Sequence, residues 1–345
     1  MRALVLTATG GLEHLAFADV PVPELADPGD VRIRVHAAAL NHLDLFVAKG
    51  LPGVQHQFPH VMGADGAGVV DATGDAVTAV RRGDRVMINP GLSCGRCAAC
   101  GAGEESLCDA FRLLGEHRPG TAAEYVVVPA ANVAPVPAAM GWAQAAAFPL
   151  ATLTAWRMLV TRARVQPGET VLIWGIGGGV AMAALQVALL RGARVIVTSS
   201  SDAKLERVRA LGAHAGLNHA TLDVVREVRR LTDGAGADVV VDSIGEPTWQ
   251  SSLRALRRGG RLVTCGATGG PMVGLDVRKL FWHQWSILGS TMGSRAEFAA
   301  IAAEAAEGRL WPVVDRTVPF DEAIAAFHAL AEGTQAGKLV IEVRP

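Results

Sequence analysis

Residues 165–201 read VQPGETVLIWGIGGGVAMAALQVALLRGARVIVTSSS, and this stretch decides the fold of the chain. A short apolar run at 170–174 is followed by the glycine loop 175–179 and then by an apolar segment that contains neither Gly nor Pro up to residue 190. A second apolar run covers 194–198. This order predicts a strand, a loop, a helix and a second strand, which together form a βαβ unit.

The glycine loop predicts a dinucleotide-binding site. Glycines at this point of a βαβ unit let the backbone approach a pyrophosphate, which then lies on the free N–H groups of the helix N-terminus. The strict spacing would put its third glycine at Val180, whereas the small residue comes one position later, at Ala181. A tight turn without a ligand is the alternative reading, but the complete strand, loop, helix and strand favour a cofactor. The candidate cofactor-binding residues of the loop are Gly175, Gly177, Gly178, Gly179 and Val180.

The end of the second strand indicates which nicotinamide cofactor binds. An NAD site usually has an Asp or Glu about 20 residues past the glycines, on the adenine ribose. Here the strand ends in Ser199, Ser200 and Ser201, with Lys204 close behind, and Asp202 is expected at a helix N-cap. Hydroxyls and a cation suit a 2′-phosphate, so we expect NADPH rather than NADH. The alternative reading of Lys204 is a solvated lysine in the first helical turn.

Composition excludes several classes of protein. The 345 residues carry a formal net charge of −1, which gives no electrostatic reason to expect nucleic acid or an anionic membrane as a partner. Half of the residues are apolar, which indicates a globular chain, and its length is sufficient for two domains. The segment without charges between Glu124 and Arg157 is interrupted by prolines and is rich in alanine, so no membrane-spanning helix is expected there. The N-terminal apolar run is too short for a signal peptide. We expect a cytoplasmic protein.

The rest of the chain divides into two patterns. Residues 1–150 consist mainly of short strands with turn residues between them, which predicts a mainly β domain. After residue 201, strands and helices alternate, which predicts a doubly wound parallel sheet whose ligands bind beyond the carboxyl ends of the strands. Asp242, Gly266 and Ala267 follow such strands and are further candidate cofactor-binding residues. The tail from residue 295 either extends this sheet or returns to the first domain.

Four of the five cysteines form a cluster, Cys94-x2-Cys97-x2-Cys100-x7-Cys108. Closely spaced thiolates suit a tetrahedral zinc, and four protein sulfurs leave no open position, so the site would be structural. An iron–sulfur cluster is the main alternative, because Cys-x2-Cys-x2-Cys also begins ferredoxin-type ligation. A disulfide pair suits a reducing cytoplasm less well. The fifth cysteine, Cys265, is expected to be a small buried apolar residue.

The four-cysteine lobe inside a β-rich domain, followed by a glycine-loop βαβ domain, resembles the medium-chain dehydrogenase/reductase superfamily of zinc-containing alcohol dehydrogenases and quinone oxidoreductases. The resemblance covers nearly the whole chain, including PHVMGADGAGVV at 59–70 and the closing Gly337-Lys338. It implies an α/β protein in which a GroES-like catalytic domain, 1–150 and 291–345, is combined with a Rossmann domain, 151–290. It also implies that the tail packs on the first domain.

The resemblance identifies the positions at which catalytic-zinc members hold a second metal. Those members use a cysteine, a Gly-His-Glu turn and a further cysteine, and the matching positions here are Asn41, Ala64 with Asp65, and Leu150. Only Asp65 offers an ionisable ligand. The pattern is similar to the quinone oxidoreductase-like branch, which transfers hydride without a metal.

The resemblance also implies the candidate catalytic residues. Asn41 could donate its amide to a developing oxyanion, and Thr154 matches a threonine on the nicotinamide side. His42, Asp44 and His117 are titratable groups on segments that border the active site in this family, and a histidine could deliver a proton near neutral pH. The alternative for either histidine is a structural role, and Asp44 is expected to orient a neighbour.

Lys338 takes the place of a basic residue that reaches the cofactor pyrophosphate in the family. Its alternative reading is an exposed lysine at a strand end.

These features predict an NADPH-dependent oxidoreductase that passes hydride to a quinone, an enone or another carbonyl compound without a catalytic zinc. Two alternatives stay open: an alcohol dehydrogenase with an unusual second zinc site built from Asp65, His42 or His60, and a protein that binds NADPH without turnover. We expect a homodimer or homotetramer, because the family pairs its sheets through the last strand of the cofactor domain, here 286–289.

Overall fold

The computed structural model describes residues 1–344. Contacts between residues divide the chain into two compact units. The first joins Met1–Ala151 to the C-terminal residues from Gly293 onward, and the second is Thr152–Met292. The boundaries predicted from the sequence, 150 and 291, differ from these by one and two residues. Within the described residues, no helix combines the length and the apolar character that crossing a membrane requires.

The regular elements are numbered in chain order. The strands are β1 (Arg2–Leu6), β2 (Leu15–Asp19), β3 (Asp30–Ala39), β4 (His60–Val61), β5 (Asp65–Thr73), β6 (Arg85–Ile88), β7 (Gly91–Leu92), β8 (Arg112–Leu113), β9 (Tyr125–Pro129), β10 (Val133–Pro135), β11 (Thr170–Ile173), β12 (Arg194–Ser199), β13 (Ala215–Asn218), β14 (Ala237–Val241), β15 (Leu256–Thr264), β16 (Ser286–Gly289), β17 (Val314–Pro319) and β18 (Lys338–Glu342). The α-helices are α1 (His42–Lys49), α2 (Ala98–Gly101), α3 (Trp142–Ala147), α4 (Pro149–Trp156), α5 (Gly179–Leu190), α6 (Asp202–Ala210), α7 (Val224–Leu231), α8 (Glu246–Ala255), α9 (Val277–His283), α10 (Arg295–Ala306) and α11 (Ala323–Glu332).

The first unit is built on a mixed sheet with the order β10-β6-β5-β3-β18-β17, and β9 also pairs with β3. Strand β3 alternates as a half-buried strand should: Val31, Ile33 and Val35 are fully buried, whereas Arg32 and Arg34 point to the other face. The tail returns to this unit, because β18 pairs antiparallel with β3. This confirms the arrangement that the family resemblance implied.

The register of this sheet brings three distant parts of the chain together. Ala39, at the end of β3, is opposite Asp65 on β5 and opposite Val340 on β18. Asn41 therefore emerges from β3 beside the first residue of β5 and close to Lys338, the first residue of β18. The sequence separates these residues by up to 297 positions.

The second unit is a parallel sheet with the order β13-β12-β11-β14-β15-β16, which confirms the predicted doubly wound fold. Strands β11 and β14 are almost entirely buried, as expected for central parallel strands. Helix α5 also buries most of its residues, which explains why its sequence is apolar on all sides.

Two local predictions were wrong. Ser201, not Asp202, is the N-cap of α6, and its hydroxyl accepts a hydrogen bond from the Lys204 backbone at 3.4 Å. The sequence suggests a loop shaping substrate specificity at 281–285, but part of this segment belongs to helix α9, whose N-cap is Asp276. The Asp276 side chain accepts a hydrogen bond from the Arg278 backbone, and this capping signal was available in the sequence.

Candidate functional site

The glycine loop has the geometry of a turn that can receive a ligand. Gly175 and Gly177 have φ values of 67° and 143°, which favour glycine. The loop is tied to β12, because the Gly175 backbone N–H donates to Thr198 Oγ1 at 3.1 Å. A Cβ added to Gly178, the N-cap of α5, would meet no protein atom within 4 Å. Open space therefore lies at the N-terminus of α5, where Gly179 and Val180 form the first turn.

The serines after β12 are partly engaged by the loop itself. Ser199 Oγ accepts a hydrogen bond from the Ser201 backbone at 3.1 Å, and Ser201 caps α6. Ser200 is exposed. The carboxylate of Asp202 accepts a hydrogen bond from Asn218 Nδ2 at 2.8 Å. Ser200 is thus the exposed hydroxyl of this group, and Lys204 is its cation, in the first turn of α6.

Asp242 organises the loop after β14. Its carboxylate is fully buried, and Oδ1 accepts hydrogen bonds from the backbone N–H groups of Ile244 and Gly245. Its Oδ2 accepts from the Thr248 and Ser252 hydroxyls at 2.8 and 2.6 Å. This arrangement corrects the prediction for the Asp242 side chain, which is turned into the protein and shapes the loop. Gly266 and Ala267 follow β15 on the same edge of the sheet.

Asn41, Asp65 and Lys338 form a buried cluster, called here the lysine cluster. It lies in the first unit, where the end of β3 meets the starts of β5 and β18. The Lys338 ammonium donates to Asn41 Oδ1 at 2.6 Å and to Asp65 Oδ2 at 2.9 Å. The side chains of Lys338 and Asp65 are 4% and 0% exposed. Asp65 Oδ1 accepts a further hydrogen bond from the Leu150 backbone at 2.8 Å. Both carboxylate oxygens therefore have donors, which a buried ion pair requires in order to be stable.

This geometry changes the predicted roles of two residues. Asn41 Nδ2 donates to Asp65 Oδ2 at 3.0 Å and to the Ala39 carbonyl at 3.3 Å, so both amide hydrogens already have acceptors. The arrangement therefore does not support donation from Asn41 to an oxyanion. Lys338 is not an exposed lysine at a strand end, and its contact with the pyrophosphate stays a prediction.

The lysine cluster occupies the positions that correspond to the catalytic metal ligands of the family. Asn41, Asp65 and Leu150 are brought together as the alignment of motifs implied, but Leu150 offers only its backbone N–H, which donates and cannot bind a metal. A metal ion on Asp65 would compete with the ammonium of Lys338. Among residues 1–344, no set of three or more His, Cys, Asp or Glu side chains other than the cysteines is close enough to share an ion. These residues do not fit a catalytic zinc.

Asp44 and His42 lie beside the lysine cluster. Asp44 is 1% exposed and its Oδ2 accepts a hydrogen bond from the Asn41 backbone at 2.7 Å, so it orients this neighbour as expected. Burial raises the pKa of Asp44 to about 7, against the opposing effects of that hydrogen bond and of the Lys338 charge. Burial and the Lys338 charge lower the pKa of His42, so its imidazole is neutral near pH 7.

His117 and His60 lie in a second group of histidines. The His117 Nδ1 accepts a hydrogen bond from the Leu113 backbone at 3.2 Å, which leaves Nε2 as the protonated nitrogen of the neutral ring. Burial and Arg112 lower the pKa of His117. The buried His60 pairs its Nε2 with the Gly115 carbonyl at 3.0 Å, which is a structural role.

In the second unit, Thr154 on α4 is buried, and its hydroxyl donates to Met292 Sδ at 3.7 Å.

The four cysteines of the lobe converge on one point. Their sulfur atoms all lie within 4.8 Å of one another, and the Cys94 and Cys100 sulfurs are 3.9 Å apart. A tetrahedral zinc with Zn–S bonds of about 2.3 Å separates its sulfurs by roughly 3.8 Å. The backbone N–H groups of Arg96 and Cys97 lower the pKa of Cys94 to about 6, which favours the thiolate that a metal needs. The residues fit a structural zinc. Burial raises the pKa of the fifth thiol, Cys265, to about 12, so it stays protonated.

Comparison with known proteins identifies the family. The zinc-binding dehydrogenase model matches residues 179–307, and the alcohol dehydrogenase GroES-like domain model matches residues 27–138. A zinc-type alcohol dehydrogenase-like protein of Schizosaccharomyces pombe is 32% identical over 99% of both chains. The quinone oxidoreductase of Homo sapiens is 28% identical, covering 99% of this chain and 97% of its own. A crystal structure of an NAD-dependent alcohol dehydrogenase has a TM-score of 0.96 with 49% identity, and 100% of each chain is covered.

The chain therefore belongs to the medium-chain dehydrogenase/reductase superfamily. It is an NAD(P)-dependent oxidoreductase of the alcohol dehydrogenase or quinone oxidoreductase type. Both statements confirm the predictions made from the sequence motifs.

Proposed function

We propose that this chain reduces a quinone, an enone or another carbonyl compound with NADPH, without a catalytic zinc. The observation that carries the proposal is the lysine cluster, in which an ammonium is paired with Asp65 at the position where zinc-dependent relatives bind metal. When bound, NADPH supplies the hydride. The substrate class follows from the likeness to the quinone oxidoreductase branch.

The polar residues of the first unit have distinct roles in this proposal. The Lys338 ammonium is buried, so it acts through its positive field, which favours negative charge developing nearby. Asp44 holds a proton on Oδ1 below a pH of about 7, and this oxygen has no hydrogen-bond partner among the described residues. His42 is neutral and could relay a proton without carrying a charge.

The preference for NADPH rests on Ser200 and Lys204. Both follow β12, where an NAD site usually has a carboxylate, and the only carboxylate there, Asp202, is held by Asn218. The names of several relatives specify NAD, so the preference needs a direct test. Initial rates with NADPH and NADH should give a higher kcat/KM for NADPH, and Lys204→Ala should reduce only the NADPH value. A higher kcat/KM for NADH would overturn the preference for NADPH.

The principal alternative is an NAD-linked alcohol dehydrogenase with a second zinc, which the names of relatives favour. Elemental analysis separates the two functions, because our proposal requires one zinc per chain and the alternative requires two. Assays across quinones, enals and aldehydes in the presence of a chelator complete the test. Activity that disappears when a second metal is removed would exclude the metal-free reaction.

A protein that binds NADPH without turnover would give saturable cofactor binding and no activity on any of these substrates. We favour the enzyme because Asn41, Asp44 and Lys338 keep a charged, hydrogen-bonded group where the family carries out its chemistry.

We also propose self-association through β16. This strand is at the edge of its sheet, pairing only with β15, and Phe281 and Trp282 just before it are 65% and 66% exposed. A second copy would cover both features. Light scattering should give a dimer or tetramer, and Phe281→Asp with Trp282→Asp should shift it toward monomer. A monomeric wild-type chain would refute this assembly.

A further inference from the structure

The second unit contains a cavity of about 550 Å³ that the oxidoreductase reaction does not use. This volume is within the usual range of small-molecule sites, roughly 300–1,000 Å³. Its lining includes Arg229, Arg254, Arg258, Lys279, His283 and Trp285. We call it the cationic cavity.

The cationic cavity lies on the edge of the sheet opposite to the glycine loop. Gly234 and Ala235 precede β14, Leu256 begins β15 and Trp285 precedes β16, so the lining comes from the amino ends of three strands. The glycine loop follows the carboxyl end of β11, which is parallel to them. The five residues of β14 alone span roughly 13 Å at about 3.3 Å per residue. The cavity is therefore separate from the cofactor-binding loop.

The charge of the cavity is not neutralised by its own lining. None of the lining residues is an Asp or Glu. Two carboxylates on adjoining segments, Asp223 and Asp233, are exposed to solvent, and three others are paired with arginines outside the lining. Glu227 pairs with Arg230, Asp238 with Arg257, and Asp276 with Arg278. The net local field inside the cavity is therefore positive.

The cations of the cavity differ in what they can offer a ligand. Arg229 donates to the carbonyls of Gly234 and Arg254 at 2.8 and 3.0 Å. Its guanidinium therefore links the loop before β14 to the end of α8. Arg254 makes only long contacts, to Gln250 and Ser251 at 3.4 Å. Within residues 1–344, the Lys279 ammonium makes no hydrogen bond or ion pair. Arg254 and Lys279 are thus the two least engaged cations of the lining.

The cavity is also distinct from the apolar side of α9. Lys279 and His283 are four residues apart and share one side of the helix, whereas Val277 and Phe281 share the opposite side. The His283 ring stacks on Trp285 with centroids 4.7 Å apart and planes 19° apart. Trp285 is fixed in turn, because its Nε1 donates to the Arg257 carbonyl at 3.0 Å. The cavity therefore has an aromatic wall held by stacking and a hydrogen bond, beside its cations.

We propose that the cationic cavity binds a small, multiply charged phosphate, either an inorganic polyphosphate or a phosphate ester. Arg254 provides a planar fork for two phosphate oxygens, and Lys279 adds a point charge. Arg258 also lines the cavity, and one of its N–H groups donates to the Trp282 carbonyl at 3.3 Å while the others are available to the ligand. The site is independent of the direction and substrate of the hydride transfer.

Isothermal titration calorimetry of the full chain with tripolyphosphate tests this site. Saturating reduced nicotinamide cofactor blocks the glycine loop, and the ionic strength is held constant. We expect one tripolyphosphate per chain. The double variant Arg254→Ala with Lys279→Ala should weaken the affinity at least tenfold, while Arg226→Ala, an exposed cation on the same helix as Arg229, should leave it unchanged.

A parallel titration with ATP distinguishes the two sources of phosphate. Tighter binding of ATP than of tripolyphosphate assigns the site to nucleotides, and equal or weaker binding assigns it to inorganic polyphosphate. The proposal is overturned if wild type gives no heat at millimolar tripolyphosphate, if the cofactor abolishes binding, or if the double variant binds as wild type does. A failure here leaves the assignment of the hydride acceptor untouched, since that rests on turnover.

Discussion

The cysteine lobe and the lysine cluster lie in the same unit, and each corresponds to a position at which relatives bind zinc. In the lobe, four sulfurs within 4.8 Å of one another provide a complete donor set. In the lysine cluster, one carboxylate remains and an ammonium is 2.9 Å from it. The difference lies in the donors: the lobe offers four sulfurs and no cation, whereas the lysine cluster offers one carboxylate that already has an ammonium as its partner. Where the donors are replaced, a lysine can supply the charge that keeps the remaining carboxylate buried.

Removing the metal from the lobe should have the largest effect. Cys97→Ser with Cys100→Ser should abolish zinc binding, because two thiolates are lost from a segment with little apolar core. Structural zinc supplies on the order of 10 kcal/mol in small zinc modules, so we expect a large fall in thermal stability. Elemental analysis, thermal unfolding and the absorbance of iron–sulfur clusters are the measurements. Cys265→Ser is the control, and zinc retained by the double variant would contradict the four-sulfur site.

Removing the cation from the lysine cluster should have the next largest effect. Lys338→Met leaves Asp65 buried beside Asn41 without its ionic partner, which typically costs about 3–5 kcal/mol. Adding Asp65→Asn should restore much of the loss, because no buried charge remains. Urea unfolding measures both variants, with the exposed Lys49→Met as the control. A Lys338→Met variant as stable as wild type would show that the ion pair contributes nothing.

The pH dependence of stability should report on Asp44, which lies beside the lysine cluster. The folded-state pKa of Asp44 is raised to about 7, so the folded chain keeps a proton that the unfolded chain loses near pH 4. Its contribution to stability is therefore present below pH 4 and is lost as the pH rises to 7, by at most about 4 kcal/mol. Asp44→Asn should flatten this part of the profile, and the exposed Asp75→Asn should not. An unchanged slope in Asp44→Asn would refute the raised pKa.

The contact that fastens the lobe to the returning tail should have the smallest effect. Arg295 Nη2 donates to Ser93 Oγ at 3.5 Å, a long hydrogen bond at the edge of the lobe. Arg295→Ala should cost about 0.5 kcal/mol and speed zinc release to a chelator roughly twofold. The loss of urea stability caused by Lys338→Met should be the same whether or not Arg295→Ala is also present. Zinc loss as complete as in the cysteine variant would mean that the tail, not the thiolates, retains the metal.

Local sequence patterns predicted much of the fold. The glycine loop between two apolar runs predicted the βαβ unit, and the alternation of Val31, Arg32 and Ile33 predicted a half-buried strand. Helix ends were less accurate, since α6 begins at Asp202 with Ser201 as its cap. Helix α9 was missed because a short helix with Phe281 and Trp282 exposed has no buried apolar stripe to reveal it.

The candidate site was predicted less completely. The sequence indicated that Asn41, Asp65 and Leu150 belong to one site, but only through the family resemblance. It did not indicate that Lys338 would enter the same site or that the Asn41 amide would be used internally. The charged lining of the cationic cavity was likewise not predicted, because its members come from three separated stretches of the chain, 225–235, 254–258 and 279–285.

By itself, the sequence determined the order of elements, the cofactor fold and the four-thiolate lobe, since each depends on residues that are close along the chain. The tertiary structure alone decided which side chain pairs with Asp65. The register of β3 with β5 and β18 brings Lys338 onto Asp65 across 273 residues of sequence. Local spacing cannot predict such a pair, because it depends on which strands become neighbours and at which residue they align.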